Sequence, residues 1–93
     1  MVTWLVSFYC ACILCCGPKA QGITKNGNRA TMGMTAACDK SRLGSVIWIE
    51  GFGWRICEDL GSAIKGNRID IFVDDHQHAL QLGRQVIEGM VIG

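Results

Sequence analysis

Proline is almost missing from this chain: one residue in 93, against twelve glycines spread along its length. That balance excludes a disordered spacer and suits a compact fold with many turns. Charge of either sign is also scarce. Nine Lys and Arg against eight Asp and Glu leave a formal net charge of +1. There is no basic run, no interleaving of basic with aromatic residues, and no acidic tail. Nucleic acid is therefore not an expected partner, since phosphates call for a clustered basic face. A long apolar run is lacking too. Met1 to Gly17 is apolar, but these seventeen residues contain Thr3, Ser7 and Tyr9, which is marginal for a bilayer crossing of ~20 residues. No Lys or Arg precedes the run and no small-x-small cleavage site follows it, so it does not read as a signal peptide. Its V-T-W-L-V-S-F-Y has the β-branched and aromatic content of a strand, and no membrane span is expected.

What is present is apolar residues and cysteine. Hydrophobic residues make up 49% of the chain, enough for a small core, and residues 1–93 are expected to form one domain. Six cysteines is a high count at this length, and four of them cluster as Cys10, Cys12, Cys15 and Cys16. In a secreted domain this reads as a disulfide framework. Thiolates also suit zinc, but adjacent cysteines do not comfortably ligate one ion, so disulfides or free thiols are expected and no metal. Cys38 and Cys57 lie in apolar runs and are expected to behave as small buried hydrophobes.

Short runs bounded by turn residues organise the rest. Val2 to Tyr9 reads as a strand, Gly17-Pro18 as a turn, and Gly22 to Ala30 as a loop with room for one short strand. Thr31 to Cys38 is a candidate buried strand. Ser45 to Glu50 is the clearest strand, turned by Gly51-Phe52-Gly53 into a hairpin partner, Trp54 to Asp59. Arg68 to Val73 is another strand. A-L-Q-L-G-R-Q, residues 79–85, reads as a short helix with Asp74 or Asp75 as its N-cap, and Gln85 to Ile92 returns to strand. His76 and His78 form an H-x-H beside two aspartates, but residues two apart on a helix diverge, so a solvated helix face is expected. The fold class is mainly β, a small barrel with one or two short helices.

Five of the eight acidic residues fall between Glu58 and Ala79, in E-D-L-G-S-A-I-K-G-N-R-I-D-I-F-V-D-D-H-Q-H-A. Crowded carboxylates disfavour one another's ionisation, so gathering them beside Gly61 and Gly66, with Lys65 and Arg68 alongside, points to acid chemistry. The pattern D-x-G-x-A-I-K-G-x-x-I-D-x-F-x-D-x-H-x-x-A resembles the signature of the 3D domain, a family named for three aspartates and related to the barrel of MltA-type lytic transglycosylases. F-Y-C-A-C-I-L-C-C-G, G-I-T-K-N-G and A-L-Q-L-G-R-Q-V resemble that family's opening, second and closing motifs, in its order. The resemblance implies a six-stranded double-psi β-barrel. It also implies peptidoglycan glycan strands as the partner, no cofactor, and an extracellular, cell-wall-associated or phage-encoded protein, with monomer or homodimer open.

A lytic transglycosylase needs one carboxyl used twice. The acid first protonates the glycosidic oxygen, then takes the proton of the C6 hydroxyl as that oxygen attacks C1, leaving a 1,6-anhydro sugar. Such an acid needs a pKa raised towards working pH. Asp59, expected at the end of an apolar strand before Gly61, is the candidate acid and base. By the resemblance, Asp70 and Asp74 are its electrostatic partners, although Asp70 would also suit a turn cap and Asp74 a helix cap. Lys65 is a candidate for the lactyl or stem-peptide carboxylate of the substrate. Tyr9 and Thr24 match family positions near the groove that would bind sugar hydroxyls or orient Asp59, and Ser7 stands where the family usually has Thr, keeping the hydroxyl. Two segments depart from the family: C-D-K-S-R-L-G is two residues short and lacks its prolines, and Lys25 stands where a small residue is usual. A hydrolase would need a second carboxylate role and a water. A barrel that grips peptidoglycan without cutting it, and a redox protein centred on the cysteines, are the alternatives.

Overall fold

The computed structural model describes residues 1–10, 30–61, 64–73 and 75–93. Six strands close into a barrel: β1 (Val2–Tyr9), β2 (Thr35–Ala37), β3 (Val46–Ile49), β4 (Gly53–Asp59), β5 (Arg68–Phe72) and β6 (Gln85–Val91). Around the barrel the order is β1-β5-β2-β4-β3-β6, with β6 returning to β1. β1 with β5 and β2 with β4 are parallel; the remaining neighbours are antiparallel. Among the described residues one α-helix, α1 (His76–Leu82), packs on β1, and a 3-10 turn covers Lys40–Arg42. Among the described residues no helix is long and apolar enough to cross a membrane.

Strand alternation builds the core. Trp4 and Val6 of β1, Ile47 and Ile49 of β3, and Ile69 and Ile71 of β5 all point inward and are almost fully enclosed. Residues between them, such as Leu5 and Ser7, face out, as the two-residue period of a strand requires. The expected β3–β4 hairpin forms, with Gly51 (φ 85°) and Gly53 (φ 86°) in the left-handed region at its turn. Trp4 fills the barrel where β1, β3 and β6 meet, and its Nε1 donates to the Trp48 carbonyl at 3.1 Å. Arg42 covers the ring from outside at 5.2 Å. Gly89 faces the same indole: a Cβ there would lie 1.9 Å from the Trp48 carbonyl oxygen and 2.3 Å from Trp4 Nε1. Gly89→Ala is therefore expected to destabilise the chain by about 2 kcal/mol, read as a lower urea midpoint at unchanged slope. An unchanged midpoint would mean that Trp4 is not held there.

Four expectations change. The strand expected over Thr31 to Cys38 is only Thr35–Ala37, because residues 31–34 form a turn in which Met34 N–H bonds the Thr31 carbonyl. The helix begins at His76 rather than Ala79 and stops before Gly83, whose φ is 62°. Its N-cap is Asp75, whose side chain accepts the Gln77 N–H, so the turn opens three residues early. His76 and His78 are half-buried rather than solvated, because α1 lies on β1 and His76 Nδ1 sits 3.8 Å from the sulfur of buried Cys10. Cys38 and Cys57, finally, are buried as expected but not as separate thiols. They form a disulfide, with 5.5 Å between Cα atoms, because parallel β2 and β4 deliver both residues into the same part of the core.

Candidate functional site

Two residues on the outer face of β1 each hold one aspartate. Ser7 pairs with Asp70 in the parallel β1–β5 register, and its Oγ donates to Asp70 Oδ1 at 3.1 Å and lies 3.4 Å from the Ile69 carbonyl. Tyr9, two residues on and therefore on the same face, donates its phenol to Asp59 Oδ2 at 3.1 Å. Asp59 Oδ1 accepts the Leu60 N–H at 3.0 Å. Asp59 stands at the end of β4, as expected. Asp70 lies inside β5 and caps no turn.

A bulge aims Asp59. β2 pairs Ala36 with Cys57 but Ala37 with Asp59, so one residue of β4 is skipped. Without that shift, alternation would put Asp59 on the core side with Cys57; bulges re-aim side chains in this way. The skipped residue, Glu58, is buried and accepts a 2.6 Å hydrogen bond from Thr35 Oγ1, which itself accepts the Thr31 N–H. Ala37 faces Asp59 on one side and Asp70 on the other. The two aspartates thus flank a single short strand, with about two strand spacings, ~10 Å, between backbones. A second apolar cluster of Tyr9, Ala37, Ile64 and Phe72 floors this region, with the Tyr9 and Phe72 rings edge to face at 5.4 Å.

This setting acts on Asp70. Burial pushes its pKa from 3.8 up to about 6, and the charge of Asp59 pushes the same way. The Ser7 hydrogen bond and the guanidiniums of Arg68 and Arg84 pull against them. A carboxyl of this kind keeps its proton close to neutrality and can give it up in a single step.

Of the other expected residues, Lys65 is exposed on the turn before β5. Its charge acts on Asp39, whose carboxyl is held low chiefly by the N–H groups of Ser41 and Gly66; the cations that act on Asp70 are Arg68 and Arg84. Asp74, Thr24, Lys25, Cys12, Cys15 and Cys16 lie outside the described residues. Among the described residues no group of three His, Cys, Asp or Glu side chains could hold a metal ion. Of the two arginines, sequence reasoning set Arg68 beside the aspartates and missed Arg84. For Arg68 a signal existed, since it stands two residues before Asp70 on the same strand face. For Arg84 none did.

Known proteins resemble this chain in sequence. Over 82 residues, 88% of the chain, it is 32% identical to YabE of Bacillus subtilis (strain 168), whose name assigns it to cell wall shaping. Over 76 residues, 82% of the chain, it is 34% identical to the cell wall-binding protein YocH of the same organism. These stretches are 20% and 26% of the two relatives, so the chain spans about a fifth to a quarter of the length of the curated relatives it matches. The sequence profile of the 3D domain matches residues 34–92, which hold Asp59, Asp70 and both of their strands. The chain belongs to the 3D domain family.

Proposed function

We propose that this chain acts on peptidoglycan as a lytic transglycosylase, cleaving the bond between MurNAc C1 and the GlcNAc oxygen on a barrel of the double-psi type. The observation that carries the reading is Asp70: a carboxyl with a pKa of about 6, bonded to Ser7, one strand away from Asp59. Names of relatives place related chains at the cell wall. The Cys38–Cys57 disulfide suits an oxidising, extracellular setting.

From Asp59 the proton role passes to Asp70. Asp70 gives its proton to the glycosidic oxygen as the C1–O bond breaks, and the GlcNAc hydroxyl leaves. Asp59, held by Tyr9 and the Leu60 N–H, supplies negative charge that opposes the cation developing at the sugar. The Asp70 carboxylate then takes the C6 hydroxyl proton while that oxygen bonds C1. Asp70 is thereby reprotonated, and the product is a 1,6-anhydro sugar formed without water. Asp74, the third aspartate of the motif, would add to the same negative field.

Incubating the chain with purified peptidoglycan and weighing the released fragments by mass spectrometry tests this. Anhydro-muropeptides are the expected product. Fragments one water heavier would make the chain a hydrolase. A second reading, binding without cutting, is favoured by the name of YocH; it predicts a folded chain that sediments with the wall and releases nothing.

A further inference from the structure

A cavity of about 260 Å³ opens beside Ser7, lined by Leu5 and Val86 as well as by Arg68 and Arg84. The described arginines divide into two kinds. Arg42 bonds the Gly66 carbonyl and Asn67 Oδ1, and Arg55 bonds the Phe52 and Trp54 carbonyls. The guanidiniums of Arg68 and Arg84, by contrast, make no hydrogen bond or ion pair to any described residue, and both face this one cavity. They reach it from unrelated parts of the chain: Arg68 opens β5 opposite Leu5, while Arg84 follows the glycine that ends α1. Both act on Asp70 by charge alone, so their N–H groups are left for a ligand: two such guanidiniums in one concavity are a receptor for a carboxylate, which a guanidinium fork binds in the plane of its N–H groups. Leu5 and Val86, themselves 49% and 70% exposed, add apolar walls for a carbon substituent beside the acid.

We infer that Arg68 and Arg84 form a subsite for a substrate carboxylate, one step along the groove from the aspartates. Along β1 the order is Leu5 beside Arg68, Ser7 on Asp70, then Tyr9 on Asp59. Each two-residue step is ~7 Å. The separation between a sugar's anomeric carbon and an acid carried on its third oxygen is of that order. A muramic acid whose C1 meets Asp70 would thus place its lactyl group, or the peptide attached to it, between the two guanidiniums. This takes over the role expected of Lys65, and it rests on the reading that the chain engages peptidoglycan strands.

The test is calorimetric binding by the Asp70→Asn chain, which does not turn its ligand over. The probes are three tetrasaccharides: peptide-free MurNAc-GlcNAc with free lactyl carboxylates, the same sugar bearing stem peptides, and neutral chitotetraose. At least one acidic ligand is expected to bind tenfold or more tighter than chitotetraose. Arg68→Gln and Arg84→Gln should each lower that affinity by about tenfold while leaving chitotetraose unchanged, and Arg84→Lys should retain part of it. Loss confined to the peptide-free ligand assigns the lactyl carboxylate, and loss confined to the other assigns the stem peptide; both support the subsite. Equal affinity for all three ligands would overturn it, and so would an equal loss from the control Lys40→Gln, which removes one charge elsewhere. Arg84 is exposed, so Arg84→Gln remains readable even if Arg68→Gln fails to fold. Selective binding without any anhydro product would refute the transglycosylase reading and leave the subsite standing. Anhydro product from wild type and arginine variants alike, with unselective binding, would do the reverse.

Discussion

Asp70→Asn is expected to lower anhydro-sugar release by about 10²–10⁴-fold, the usual range for removing a general acid, while making the chain more stable at pH 7. The two effects share one cause. The native state binds the Asp70 proton more tightly than the unfolded chain does, because burial raises its pKa from 3.8 to about 6. As pH rises through that window, the unfolded chain has already released its proton and the native state has not. Stability therefore falls from about pH 4 to about pH 6 and stays at the lower level above it. Asparagine has no charge to bury and keeps an oxygen for Ser7. The gain at pH 7 should be about 3 kcal/mol, or ~15 °C in melting temperature for a chain of this size, and it should vanish below about pH 4. In the wild type, cleavage should decline above about pH 6 as the proton is lost. A cleavage rate flat from pH 6 to 8 would sink the assignment. Full activity in Asp70→Asn with none in Asp59→Asn would return the proton to Asp59.

Replacing both bridged cysteines, as Cys38→Ala with Cys57→Ala, should cost about 3 kcal/mol and lower the melting temperature by ~15 °C. The bridge spans 19 residues of sequence, and closing such a loop removes much of the unfolded chain's freedom. A barrel this small has little other reserve. The loss should also reach the site. Cys38 N–H bonds the Asp59 carbonyl at 3.0 Å, so the bridge fixes the bulge that turns Asp59 away from the core. Both sulfurs are buried, and a thiol-reactive probe should therefore find this pair only after denaturation in reductant. Melting curves of the two forms decide the matter; a double variant that melts within ~2 °C of wild type would show the bridge to be incidental.

How far the site was legible depended on the range of the interaction. The strand Val2–Tyr9, the hairpin around Gly51-Phe52-Gly53 and the cap on α1 follow from local alternation and local hydrogen bonds, and each could be read from its own few residues. The short β2 could not. Three residues, Thr35–Ala37, carry no periodicity of their own and become a strand only because β4 and β5 supply partners on both sides. The early start of α1 was missed for a smaller reason: Asp74 and Asp75 are equivalent caps in sequence, and the polar run before Ala79 hides the first turn.

By itself the sequence determined the family, the three-aspartate pattern and the mainly β character of the chain, because these are written in residue order and short spacings. The tertiary structure alone buried Asp70 and so raised its affinity for a proton. A carboxyl's affinity for a proton depends on its burial, here also on a hydroxyl from β1 and on charges from β4 and the segment before β6, brought near from outside its own strand. The same holds for the bridge between Cys38 and Cys57 and for the meeting of Arg68 with Arg84: each is a distance in space, set by the order in which six strands close around one core.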